Sequence, residues 1–270
     1  MLQPQRIGSL DVYIEGTGSQ TIVMVHGWPD TYRVWDAQVN ALAADYRCVR
    51  VTLPNYAEQG ARSRYSIDAV AHMLAQVVQT VSPDQPVILL LHDWGCAFGY
   101  RFYQQHPERV SRLIGLDIGD AASRAHLKSL KWYQLAMLGT YQLNLAVAWL
   151  LPEVLGTSIT RGFAKLLQQP TPAEAVHRGM NYPYFQAVFQ ALSQPIKPFT
   201  DVPACPMLFV YAKHKPFMFH STAWTTRLQQ RAGNQVIAMA AGHWMMREQP
   251  DQFNQILLDW LNTVPLSTQS

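Results

Sequence analysis

Asp93 follows an unbroken apolar run, Leu89-Leu90-Leu91, then His92, and precedes Trp94-Gly95. Such a run reads as a strand buried on both faces, and the residues from about Gly95 to Gln105 read as a helix. Only a tight turn is left for His92, Asp93 and Trp94, and it lifts one side chain clear of the backbone beside the free N–H groups of a helix N-terminus. A carboxylate there is either an ordinary helix N-cap or a nucleophile held out for reaction. No Gly-x-Ser-x-Gly exists in the chain, and Cys96 is out of register with the turn. An aspartate is ill suited to ordinary ester hydrolysis, because its acyl-enzyme would be an anhydride. It suits attack on saturated carbon, which leaves a covalent alkyl ester.

The elements that must position this residue alternate. Leu10–Glu15 and Thr21–His26 read as strands, "VWDAQVNALAA" as a helix, and "RCVRVTLP" as a strand. A helix capped by Ser66 follows, then "VILLLH", the helix after Asp93, and the strand "RVSRLIGLD". This is the pattern of βαβ units and a mainly parallel sheet, an α/β fold. From about Asp120 to Asp201 the alternation stops and the chain is helical. It resumes with "MLFVYA", a helix over Ser221 to Arg231, "QVIAMAA" and a closing helix. The expected organisation is one core domain, residues 1–119 and 202–270, with a helical cap, residues 120–201, inserted into it.

Composition narrows the classes. The 270 residues are 49% hydrophobic and 14% charged with a net charge of +3, and Lys and Arg are scattered, so no nucleic-acid footprint is present. Three separated cysteines without CxxC spacing argue against a disulfide framework or a zinc site and fit a reducing cytoplasm. The N-terminal residues turn polar at once and lack the apolar stretch of a signal peptide. His214 and His220 match no helical face and have no evident third ligand, so neither metal nor cofactor is expected. Leu135 to Gly156 is the longest apolar region, but Gln142, Asn144 and Pro152 interrupt it, so a buried cap helix is expected rather than a stable membrane span. Any exposed part of it could serve a homodimer.

Four motifs in order, "HGWPD" (26–30), "HDWG" (92–95), "LDIGD" (116–120) and "GHW" (242–244), each at the end of a predicted strand, resemble the α/β-hydrolase superfamily. The resemblance covers nearly the whole chain and is closest to the epoxide hydrolase and haloalkane dehalogenase-like branch, whose elbow carries Asp followed by Trp. It implies an α/β-hydrolase fold with Asp93 as nucleophile and His243 as general base. It also implies an oxyanion hole from the backbone N–H groups of Trp28 and Trp94. His92 is expected only to pack or hydrogen-bond beside the elbow.

Three departures stand out. Leu91 occupies an elbow position that is usually small, which predicts a looser turn. The loop "NYAEQGARS" replaces the branch's usual Asp-x-Arg-Gly-x-Gly run, so access to the site is expected to differ. After "MLFVYA", Lys215 stands where many relatives carry the triad acid, so the acid is elsewhere or absent. The resemblance to dehalogenases that carry it after the preceding core strand implies Asp117 as the partner of His243, with Asp120 second.

The resemblance implies a small apolar substrate and water as co-reactant. An epoxide oxygen needs a proton donor from cap tyrosines, and Tyr141 with Tyr182 or Tyr184 fits. A halide needs N–H donors, and the Asn that many dehalogenases place after His-Gly is Trp28 here, which favours the epoxide. A dehalogenase, or a ligand-binding relative without catalysis, is the alternative. Trp132, Met137, Trp149, Phe185 and Phe189 are expected to give the cap an apolar lining.

Overall fold

The structure, a computed structural model, describes residues 3–57, 62–193 and 195–264. Strands β1 (Gln5–Ile7), β2 (Leu10–Glu15) and β3 (Gln20–Val25) lead into α1 (Asp36–Leu42) and β4 (Tyr46–Thr52). Then come α2 (Ile67–Val81), β5 (Val87–His92), α3 (Trp94–Gln105) and β6 (Val110–Leu116). Four helices follow without an intervening strand: α4 (Arg124–Ser129), α5 (Trp132–Leu150), α6 (Glu153–Leu166) and α7 (Tyr182–Phe189). The chain closes with β7 (Met207–Ala212), α8 (Thr222–Gln229), β8 (Gln235–Met239), α9 (Met245–Glu248) and α10 (Pro250–Thr263).

The eight strands form one sheet in the order β1-β2-β4-β3-β5-β6-β7-β8, antiparallel at β1 and β2 and parallel from β4 onward. Alternate side chains feed two cores. Val23, Val25, Leu89 and Leu91 pack with α2 and α3 on one face, and Ile22, Met24, Ile88 and Leu90 pack with α1 and α10 on the other. Burial on both faces is why these central strands read as unbroken apolar runs. Ser66 caps α2 by accepting from the Ala69 N–H at 3.1 Å, and Ser221 caps α8 by accepting from Trp224 at 3.1 Å.

Two expectations need correction. α5 is not a buried helix: Trp132 is 80% exposed, and Leu143, Val147 and Leu150 are also exposed, because none of the described residues covers its outer side. Met137 and Phe189 are exposed as well, so of the five residues assigned to an apolar lining only Trp149 and Phe185 are buried, stacked 4.6 Å apart. Among the described residues no helix is long and apolar enough to cross a membrane. The loop expected to alter access includes positions 58–61, which lie outside the described residues.

Candidate active site

The carboxyl ends of β3, β5 and β6 lie side by side, so the loops that follow them meet. β5 ends at His92 and α3 begins at Trp94, which leaves Asp93 alone at the turn. Its backbone has φ 52° and ψ −125°, a conformation that costs a non-glycine residue about 1–3 kcal/mol. The side chain makes no cap hydrogen bond to its own helix. Leu91 does not loosen this turn, because its side chain seats against the bare Cα of Gly99. Gly95 is similarly needed where α3 crosses the end of β3, since a Cβ there would meet the Val25 and His26 carbonyl oxygens.

The loop after β3 is built around the same carboxylate. The Trp28 N–H donates to Asp93 Oδ1 at 2.7 Å, and the nearby Trp94 N–H helps lower the carboxyl pKa. A Cβ at Gly27 would lie 2.6 Å from the Trp94 nitrogen and closer still to the Asp93 side chain, so only glycine fits. His26, fully buried, braces this loop. Its Nδ1–H donates to the Gly27 carbonyl (3.0 Å), and its Nε2 accepts from the Leu53 N–H (3.2 Å). Only the neutral Nδ1–H tautomer satisfies both bonds, and burial lowers its pKa to about 4.

His243 follows β8 and faces two carboxylates. Its Nε2 is 3.4 Å from Asp93 Oδ2, and its Nδ1–H donates to Asp117 Oδ2 at 2.5 Å. Burial by itself would lower the imidazole pKa, but the bonds to Asp117 and Asp93 outweigh it and raise it to about 9. Asp93 is likewise opposed by burial, yet its hydrogen bond and charge interaction with His243 lower its pKa below the ordinary value. The His92 Nε2–H donates to the His243 carbonyl at 3.1 Å and ties the elbow strand to this loop.

Asp117 sits just past β6, also with positive φ (68°), and is fully buried. Its Oδ1 accepts from the Ala212 N–H at 3.0 Å and pairs with Lys215 Nζ. Lys215, 7% exposed at its side chain, therefore stands beside the β6 carboxylate rather than replacing it. Burial opposes ionisation of Asp117, but Lys215 and His243 hold its carboxyl well below the usual carboxylate range. Asp120 is turned away: it accepts from the Ser221 N–H (2.6 Å), Ser221 Oγ (2.7 Å) and Ser123 Oγ (2.6 Å).

Opposite this charged cluster the α5–α7 segment supplies neutral groups. The hydroxyls of Tyr141 and Tyr184 hydrogen-bond each other, and both rings meet Trp28 edge-on, at 5.9 and 5.6 Å between centroids. Tyr184 also meets Trp94 edge-on at 5.3 Å. Burial and the nearby Asp93 charge raise the pKa of both phenols and keep them protonated. Tyr182 is not in this pair. Its ring stacks on Phe98 and meets Tyr56 and Tyr65 edge-on, and its buried hydroxyl has no hydrogen-bond partner among the described residues.

Sequence reasoning missed Asn181. Its Oδ1 accepts from the Trp28 indole Nε1–H at 2.8 Å, and its Nδ2 donates to Thr160 Oγ1 at 2.7 Å, which ties the loop after β3 to α6. The only sequence signal was its place directly before "YPYF". No cluster of three or more His, Cys, Asp or Glu suited to a metal occurs among the described residues.

Residues 22–256 match the alpha/beta hydrolase family. Among curated relatives, the probable oxidoreductase EphD of Mycobacterium tuberculosis is 32% identical over 120 residues, 43% of this chain, which thus spans about 20% of that relative's length. Human epoxide hydrolase 4 is 22% identical over 269 residues, covering 90% of this chain and 73% of the relative. The fold is similar to a Bacillus megaterium epoxide hydrolase complexed with its product, with TM-score 0.76, 20% identity and coverage of 97% of this chain and 100% of that one. An epoxide hydrolase from Vigna radiata gives TM-score 0.70 at 14% identity, covering 97% of each chain. The eight-stranded sheet, the loops gathered at its carboxyl edge and the extent of the family match agree: the chain belongs to the alpha/beta hydrolase family.

Proposed function

We propose that the protein is an epoxide hydrolase acting on a small apolar epoxide through an alkyl ester on Asp93, beneath a helical cap formed by residues 120–201. The observation that carries this reading is the arrangement of one carboxylate between a histidine and a pair of neutral tyrosines. Asp93 Oδ1 is held by the Trp28 N–H, and Oδ2 is left to attack the epoxide carbon. The ring C–O bond breaks, its electron pair passes to oxygen, and Tyr141 or Tyr184 supplies the proton.

Esterification then changes the electrostatics around His243. Asp93 loses its charge, so one of the two groups that keep the imidazole protonated is gone and its pKa falls. Neutral His243 takes a proton from water, and the hydroxide attacks Asp93 Cγ. Negative charge develops on Oδ1, which the Trp28 N–H already meets, and the Trp94 N–H is the proposed second donor. Asp117 orients the imidazole and stabilises its charged form. Collapse passes the imidazolium proton to the departing alkoxide and releases the diol, the Asp93 carboxylic acid returns its proton to His243, and the tyrosinate takes up from solvent the proton that His243 had released there.

The bond from Trp28 to Asn181 weighs against halide displacement, because it occupies an indole N–H that would otherwise be available to a leaving halide. The two reactions separate in one assay. Diol formed from styrene oxide supports the proposal; bromide released from a bromoalkane, without diol, overturns it. A single turnover in ¹⁸O-labelled water is expected to label the Asp93 carboxylate, whereas a protein that only binds ligand takes up no label.

A further inference from the structure

A helix this rich in apolar residues is normally buried, yet much of α5 is exposed. No charged residue occurs between Trp132 and Leu150. Tyr141, Leu145, Ala148 and Trp149 face inward, toward the tyrosine pair and the core. At about 100° per residue, Trp132, Leu135, Leu143, Val147 and Leu150 fall within an arc of about 120° on the other side. All five are exposed. The stripe runs the length of a 19-residue helix, roughly 28 Å.

The surroundings reinforce it. Every exposed large hydrophobic side chain among the described residues lies between Leu127 and Leu192. Val154 and Leu166 on α6, at 82% and 73% exposure, are among the most exposed of them. From Arg124 to Phe189 there are six Lys or Arg against two Asp or Glu, whereas the rest of the chain has fifteen against sixteen. One of those two acids, Glu153, is already paired with Arg178. Lys128, Lys131 and Lys165 are exposed, without an ion pair among the described residues, and Lys131 and Lys165 directly precede Trp132 and Leu166.

Exposed apolar area confined to one segment and flanked along the chain by exposed lysines without ion pairs fits a surface that is itself apolar beneath an anionic rim. A second copy of this chain would bring a like-charged, lysine-flanked stripe against itself, with no acidic counterpart on the patch. We propose that the α5–α6 face is a peripheral membrane-docking surface, which lies flat on an anionic bilayer with the α5 stripe in the headgroup layer. This assignment does not depend on the reaction at Asp93.

Sedimentation of the full chain with vesicles of phosphatidylcholine, with and without phosphatidylglycerol, tests it. The expected result is binding to the anionic vesicles only, weakening as salt is raised. Replacing Lys128, Lys131 and Lys165 by Glu should weaken that binding roughly a hundredfold or more, given about fivefold for each lysine near the surface. The triple change Leu143→Ser, Val147→Ser, Leu150→Ser should abolish it with unaltered circular dichroism, since the three side chains are exposed. Equal binding to neutral vesicles, binding to neither, or a dimer in light scattering that Val147→Glu dissociates would each overturn the proposal.

Discussion

The two halves of the candidate site are built from opposite materials. On the sheet side, Asp93, His243, Asp117 and Lys215 form a chain of ionisable groups fixed by strand ends, with both carboxylates held at positive φ. On the helical side, Tyr141, Tyr184 and Asn181 are neutral and held, against Trp28 of the loop after β3, only by hydrogen bonds and ring edges. The contrast teaches that power and selectivity are separable here. In the proposed reaction the charged half would supply a nucleophile and a base whatever the leaving atom is, and the neutral half would decide which leaving atom can be protonated.

Substitutions should divide along the same line. Asp93→Asn is expected to have the largest effect, a loss of turnover on the order of 10⁴-fold with substrate binding retained, measured as diol formation against KM. Loss of both hydroxyls in Tyr141→Phe with Tyr184→Phe should cost about 10³-fold for epoxides, with each single change much milder because the partner phenol remains. If the double variant keeps full epoxide turnover, the division fails.

Within the charged half, Lys215→Met removes one partner of a buried pair and should destabilise the fold by about 3 kcal/mol at neutral pH. The sign with pH follows from Asp117. Its folded pKa is depressed, so its stabilisation is present above the unfolded value of about 3.9 and is lost as pH falls toward the folded value. Without Lys215 the folded pKa rises, and acid unfolding followed by urea midpoints should begin at a higher pH than in the parent. Rapid-quench kinetics sharpen the same half: ester formation should stay nearly flat between about pH 6 and 8, because Asp93 is already ionised. Ester hydrolysis should quicken with pH by up to tenfold per unit until His243 is neutral. The smallest effect belongs to Asp120→Asn, whose serine partners can reverse their hydroxyls; about 1 kcal/mol of stability and an unchanged kcat/KM within about twofold are expected.

How much of this was legible beforehand depended on distance along the chain. The turn at Asp93 is a local event, announced by an apolar run that ends against a glycine, and β5 and α3 fall within a residue of their expected bounds. β1, three residues long, carries too little pattern to stand out. The contact between Asp117 and Lys215 depends on the register of β6 against β7, expressed in the bond from the Asp117 N–H to Val210, and no short-range signal encodes it. Tyr182 and Tyr184 are two residues apart, so on a helix they point to nearly opposite sides; which one turns toward Tyr141 was beyond a one-dimensional reading. α5 misled for a different reason. Its composition says apolar, and composition alone does not say whether a neighbour is there to cover it.

Gly27 bears on how such a site can change over generations. Because the space a methyl group would need is already taken by the Asp93 side chain and the Trp94 amide, position 27 is closed to drift. Laboratory libraries that seek new selectivity gain nothing by sampling it. On the proposed reaction, heritable variety would enter through Asn181 and the tyrosine pair, where a lost hydroxyl or amide would alter which molecules are accepted and leave Asp93 in place.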